Sequence, residues 1–150
     1  MSHLYFLLNF TFITILFASD SNIKDDYYSV TIGGGYKVKV PRELSVKTTN
    51  GPDFKVLNLT SGKSTVLFIY TGDHPDTSSF DVELNVNEIS FPDVKAKKTS
   101  SFSGKTERIE FLIMLNTDKS PKFAHAWFFR NPGDDIPSLA LKILATMKKY

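Results

Sequence analysis

After residue 26 the chain consists of short strand-like runs, several of which have apolar residues at every second position, and its last segment changes to the helical spacing of three to four. Alternation of the first kind predicts half-buried strands, and the final stripe predicts one amphipathic helix. The sequence therefore predicts an α+β fold, an antiparallel β-sheet with a C-terminal helix packed on one face. Strands are predicted over residues 27–32, 36–40, 54–59, 64–70, 80–87, 94–99, 107–115 and 122–130. The helical stripe consists of Ile136, Leu139, Ala140, Ile143, Leu144 and Met147.

The last predicted strand indicates which side of the sheet the helix covers. Ala124 and Ala126 lie on one face of this strand, and side chains this small let a helix approach the sheet closely. We therefore expect the helix to pack over these two alanines. The opposite face is aromatic and contains Phe123, His125, Trp127 and Phe129.

Turn and capping residues predict how the elements begin, end and connect. The strands over 54–59 and 64–70 should form a hairpin around residues 60–63, and the lysine-rich strand over 94–99 should lie at a sheet edge. Asp134 or Asp135 is expected to cap the helix N-terminus. Lys148 and Lys149 are expected in the last helical turn, where lysines complement the helix dipole.

The N-terminus carries a strongly apolar segment. Residues 1–19 contain no Asp, Glu, Lys or Arg, and residues 4–18 are almost all apolar. About 15 residues is the length of a signal-peptide core and falls short of the roughly 20 that span a bilayer. We predict that residues 1–21 form a signal peptide, cut after Ala18 or Ser21, and the start of a linker. An uncleaved membrane anchor and a buried helix are the alternatives.

Residues 22–150 are predicted to form a single α+β domain that is secreted or periplasmic, or membrane-anchored if the leader is retained. This part holds 18 Lys and Arg against 15 Asp and Glu, a net charge of +3. So mild a charge does not indicate a nucleic-acid partner. The chain has no cysteine, which excludes disulfides and a lipid-modified cysteine, so its stability must come from an apolar core.

The order of elements also resembles a known fold family. An aromatic residue, an alternating strand and a proline occur together over residues 36–41, and paired long strands and the amphipathic helix over 138–149 follow. These features resemble the PsbP family, small exported domains named after an extrinsic photosystem protein. The resemblance implies a binding or assembly role and supplies no catalytic residues.

Two short motifs contain residue types that occur in phosphate-binding and metal-binding sites. Residues 62–65 read Gly-Lys-Ser-Thr, but Leu57 stands where a phosphate-binding loop needs glycine, and a strand follows instead of a helix. This motif is therefore interpreted as a hairpin turn. Asp73, His74 and Asp76 offer three possible metal ligands on one loop, to which Asp81, Glu83 and Glu88 could add oxygens. A solvated acidic turn is the simpler interpretation of that loop.

Charged residues fall into two blocks that could pair across neighbouring strands or form two poles of a partner-binding surface. Between residues 64 and 94 the charged side chains are all acidic, and the next residues are mostly basic. The acidic block is Asp73, Asp76, Asp81, Glu83, Glu88 and Asp93, and the basic block is Lys95, Lys97, Lys98, Lys105 and Arg108.

No nucleophile–base pair is evident in the sequence, so we predict an exported, non-enzymatic binding or assembly module that needs no cofactor. Its partner is expected to be a protein or a small ligand, with membrane contact only through an uncleaved N-terminus. The candidate binding residues are Phe123, His125, Trp127, Phe129, Asp81 and Glu83. A metal-dependent hydrolase or metal-binding protein using Asp73, His74 and Asp76, and an inhibitor or immunity-like protein that binds a secreted partner, are the alternatives.

Overall fold

A computed structural model describes residues 26–80, 86–118 and 120–150 of the chain. Its elements in chain order are β1 (Tyr27–Gly33), β2 (Tyr36–Pro41), β3 (Ser45–Asn50), β4 (Phe54–Ser61), β5 (Ser64–Gly72), a 3₁₀ turn (Ser78–Phe80), β6 (Asn87–Ser90), β7 (Lys95–Ser103), β8 (Thr106–Met114), β9 (Phe123–Arg130), α1 (Ile136–Ala145) and β10 (Lys148–Lys149). Within these ranges no helix has the length and apolarity to cross a membrane.

The strands form two antiparallel sheets. The larger sheet has seven strands in the order β3-β4-β5-β9-β8-β7-β6, and the smaller has three in the order β1-β2-β10. The β4–β5 hairpin turns at residues 62 and 63, which confirms that the Gly-Lys-Ser-Thr motif is a turn leading into a strand. The predicted antiparallel sheet with a C-terminal helix is confirmed.

One face of the seven-stranded sheet, here called the inner face, carries the core. Leu57, Ile69, Ala126 and Phe111 follow one another across β4, β5, β9 and β8 in direct register, and all four are buried. Helix α1 contacts β9 and β5, and β1 contacts β4 and β5. The helix and the three-stranded sheet therefore form a second layer over the inner face. That layer adds Ile32, Tyr36, Val38, Val40, Ala140, Ile143 and Leu144 to the core.

The close packing of the β1–β2 turn requires glycine at its centre. Gly34 has φ +60°, a left-handed conformation, and a Cβ added there would lie 3.1 Å from both Leu115 Cδ1 and the carbonyl oxygen of Pro121. The same region is tied by the Asn116 N–H, which donates to the Tyr36 hydroxyl at 2.9 Å. The small sheet is thus joined to the loop that connects β8 and β9.

The structure differs from the prediction around Phe80 and at the sheet edge, and two strands, β3 and β10, were missed. Phe80, expected to begin a strand over 80–87, lies in the 3₁₀ turn, and the strand in this region is β6; residues 81–85 lie outside the described residues. Because β6 pairs with β7, β7 is not the sheet edge. Strand β3 was missed because its sequence, Ser-Val-Lys-Thr-Thr-Asn, is almost entirely polar and exposed.

The ends of the helix also differ from the prediction. Asp135 occupies the N-cap position without a side-chain capping bond. At the other end, the Thr146 hydroxyl donates to the Ile143 carbonyl at 2.6 Å and accepts from the Lys39 N–H at 2.7 Å. These bonds join the helix end to β2, so Lys148 and Lys149 pair with β2 instead of extending the helix.

Docking of α1 makes a prediction about stability. Ile143 is 1% exposed in the core, whereas Leu141 on the same helix is 38% exposed. Ile143→Asp places an unpaired carboxylate in the core and is expected to lower the free energy of unfolding by about 4 kcal/mol or more. Leu141→Asp is the control and should change it by less than about 1 kcal/mol. Urea unfolding measures both, and equal effects would contradict the docking of Ile143 against the sheet.

Candidate functional site

The other face of the seven-stranded sheet, here called the outer face, gathers polar and aromatic side chains on β9 and its neighbours. His125 and Trp127 point to this face because they alternate with the buried Ala124 and Ala126. The register places Tyr70 and Leu112 on either side of His125, and Phe68 and Glu110 on either side of Trp127. The sequence predicted the face of β9 but not these neighbours, which depend on strand pairing.

His125 and Glu110 form a buried polar pair on this face. The two side chains are almost fully buried, and His125 Nε2 lies 2.9 Å from Glu110 Oε2. The same carboxylate oxygen lies 3.1 Å from Arg108 Nη2, so the guanidinium supplies the compensating charge. Burial lowers the pKa of His125 below its ordinary value, and the hydrogen bond and charge of Glu110 oppose that shift. A neutral His125 that donates Nε2–H to Glu110 fits this arrangement.

The chain after β5 covers the His125 end of the outer face. Phe80 is buried, and its ring lies edge-on to the imidazole of His125 with 5.8 Å between ring centroids. Asp76 holds this segment in a turn, because its carboxylate accepts hydrogen bonds from the Ser78 N–H at 3.1 Å and the Ser78 hydroxyl at 2.7 Å. These bonds lower the pKa of Asp76. The segment therefore encloses His125, while Trp127 lies farther along the face.

Beyond that cover, Trp127 belongs to a half-exposed aromatic surface. Its ring stacks on Phe68 with centroids 5.1 Å apart and planes 14° apart, and the Arg108 guanidinium lies 5.5 Å from its centre. Phe129, the register partner of Arg108, is 39% exposed. We call Phe68, Arg108, Trp127 and Phe129 the Trp127 platform. Two polar atoms at the platform are buried and have no hydrogen-bond partner in the described part of the chain. They are Arg108 Nε and the Oδ1 atom of Asn58, which is the register partner of Phe68.

The sequence-predicted candidates are only partly brought together. His125 and Trp127 adjoin each other, with 5.0 Å between ring centroids, and Phe123 and Phe129 lie exposed at the two ends of β9. Asp81 and Glu83 lie outside the described residues. Phe68, Arg108 and Glu110 were missed as site residues. Alternation along β8 places Arg108 and Glu110 on one face, but only the β8–β9 register brings them to Trp127.

The possible metal ligands do not form a site within the described part of the chain. Asp73, His74 and Asp76 are exposed, and Asp76 is engaged by Ser78. No group of three His, Asp or Glu side chains there is placed to hold a metal ion. The metal hypothesis stays a prediction that depends on Asp81 and Glu83.

The acidic and basic blocks of the sequence lie opposite each other at one pair of neighbouring strands. Glu88 on β6 is the register partner of Lys97 on β7. Arg108, which belongs to the basic block, forms its ion pair with Glu110 on its own strand and not with a residue of the acidic block. The ion pair formed by Arg130 and the buried Glu107 lies near the β7–β8 turn. Among the described residues, the two blocks thus face each other only along the β6–β7 ladder, and no ion pair joins them there.

Two surface cavities lie away from the Trp127 platform. One, of about 510 Å³, lies where β6 turns into β7 and includes Phe91, Asp93 and Asn116. The other, of about 350 Å³, lies beside the loop after β9 and includes Phe102 and Arg130. Neither of these two cavities is lined by a platform residue.

Comparison with known proteins supports the fold and goes no further. No protein-family model matches the sequence, and no curated protein matches it significantly. A crystal structure from Bacteroides thetaiotaomicron VPI-5482 is similar, with a TM-score of 0.50 and 9% sequence identity. The match covers 80% of this chain and 47% of that chain, so the protein spans about half the length of that structure.

The buried His125 makes stability depend on pH. Because its pKa is lowered in the folded state, the unfolded chain binds a proton more readily, and His125 destabilises the fold as the pH falls below about 6.5. His125→Gln keeps a donor for Glu110 and should flatten the fall in unfolding free energy between pH 7.5 and 5.5. The contribution of His125 to this fall in unfolding free energy is at most about 1.4 kcal/mol per pH unit.

Urea unfolding at several pH values measures this dependence. His74→Gln, on the exposed loop, is the matched control and should retain the slope of the parent protein. An unchanged slope for His125→Gln would contradict a buried, neutral His125.

Proposed function

We propose that this protein is an exported, non-enzymatic module that binds another protein through the Trp127 platform. The observation that carries the proposal is the stacked pair of Phe68 and Trp127, with the Arg108 guanidinium over Trp127, on a half-exposed sheet face. Tryptophan, tyrosine and arginine dominate the energetic centres of protein interfaces. An arginine already held over a tryptophan loses little side-chain freedom on binding.

The shape of the platform favours a protein over a small ligand. Small molecules bind mostly in concave sites that enclose most of their surface. The two cavities described above do not include any platform residue. Phe129 extends its apolar surface at one end, and monomers seldom leave large apolar patches uncovered unless a partner uses them.

The surroundings of His125 support binding over catalysis at this face. A general base must reach the proton that it removes. The imidazole is instead enclosed by Phe80 and bonded to Glu110. The pair of His125 and Glu110 therefore serves to hold Arg108 in its place within the platform.

Export rests on the sequence of residues 1–21, and a partner outside the cytoplasm is consistent with the PsbP-like resemblance. Inhibition of a secreted protein would use the same platform. N-terminal sequencing of the protein from its native host tests export; a chain that begins at Met1 would contradict cleavage.

The platform is tested by site-specific photo-crosslinking in extracts of the native host. A photoreactive phenylalanine analogue at position 129 should crosslink to one protein, whereas the same analogue at Phe102, which is 71% exposed away from the platform, should not. Identical products at both positions would contradict the proposal.

The captured protein then gives a quantitative test. Phe129→Ser should weaken its binding about tenfold or more, because truncating an interface aromatic commonly costs upward of 1 kcal/mol. Phe102→Ser should leave the affinity unchanged, and thermal melts of both variants establish that each is folded. Equal affinities for the two variants would contradict a role of the platform in binding.

A further inference from the structure

The exposed face of the three-stranded sheet is basic, and the structure points to a docking surface for an anionic membrane there. Lys37 and Lys39 alternate along β2 with the buried Tyr36, Val38 and Val40, so both lysines point away from the core. Lys148 on β10 is the direct register partner of Lys37 and shares its face. We propose that Lys37, Lys39 and Lys148, here called the lysine face, contact anionic lipid headgroups.

The arrangement is unfavourable for the isolated domain. Like charges placed directly opposite each other in a sheet destabilise it, and Lys37 opposes Lys148. The three strands contain no Asp or Glu that could offset these charges. Lys37 Nζ instead lies 5.5 Å from the centre of the Tyr150 ring. An external anion would relieve the repulsion that the strand pairing creates.

The shape of the face suits an extended charged surface. The neighbours of Lys39 and Lys37 on β1 are Ser29 and Thr31, whose short side chains do not cover the lysines. Neither surface cavity described above includes a lysine of this face. Three ammonium groups spread over a flat sheet match the distributed charge of a bilayer better than a single bound phosphate.

The position of the face in the chain favours a membrane over an acidic protein. β1 begins at Tyr27, and only residues 19–26 separate it from the apolar segment over residues 4–18. Eight residues reach at most about 28 Å. In the alternative in which that segment is retained as an uncleaved membrane anchor, the three-stranded sheet is held near the bilayer surface, where each lysine adds roughly fivefold to the affinity for anionic lipid. The Trp127 platform lies on the opposite side of the seven-stranded sheet, so it stays free for a partner.

The full-length chain can be tested by flotation with vesicles of 30% phosphatidylglycerol in phosphatidylcholine and with vesicles of phosphatidylcholine alone. The readout is the ratio of the two affinities, because the apolar segment contributes to both. The parent protein should prefer the anionic vesicles on the order of 100-fold at low salt, and added salt should reduce this preference. The triple variant Lys37→Gln, Lys39→Gln, Lys148→Gln should lose it.

A matched variant keeps the test specific. Lys63→Gln, Lys95→Gln and Lys105→Gln remove the same charge from exposed positions elsewhere and should retain the preference. Equal loss in both triple variants, or no preference in the parent, would overturn the proposal. The proposal would also be overturned if the protein bound polyglutamate through the lysine face but showed no preference for anionic vesicles. That result would assign the face to an acidic protein. Thermal melts establish that both variants are folded.

Discussion

Strand β9 lies at the centre of the seven-stranded sheet, and the size of the side chains along it decides what packs on each face. Ala124 and Ala126 leave room on the inner face for α1, which brings Ile143 into the core. Small side chains on this strand permit the second layer to approach, and burial of the apolar residues between the layers stabilises the fold. Phe128 on the same inner face is also buried in the core, whereas His125 and Trp127 lie on the other face together with the exposed Phe123 and Phe129.

That outer face is organised by the buried carboxylate of Glu110 and by an aromatic stack. Glu110 is stabilised by Arg108 and His125, and the same Arg108 lies over Trp127. Among the described residues, the segment ending at Phe80 encloses the His125 end of this face. The described residues therefore leave a half-exposed aromatic surface, which is the basis of the proposed binding role.

The sequence predicts those elements whose burial follows from the spacing of their own side chains. It does not predict those that are held in place by pairing with another strand. Alternation along β9 and the helical stripe indicated both faces of the sheet, because burial there follows directly from side-chain spacing. β3 and β10 could not be predicted, since backbone pairing with a neighbour holds these polar strands in place. Phe80 alternates with later residues but packs on His125 from a turn. The contact of His125 with Glu110 depends on the β8–β9 register, which spacing within one strand does not fix.

The chain contains a single tryptophan, so its fluorescence reports on the outer face alone. The account predicts that Trp127 in the folded protein is quenched by acrylamide to an extent between those of a buried and a free tryptophan, and that Phe68→Ala increases the quenching. Equal quenching in the folded and urea-unfolded protein would contradict the ordered stack of Phe68, Trp127 and Arg108. A blue-shifted emission that acrylamide does not reach would contradict the account directly, because it would show that the outer face around Trp127 is closed core.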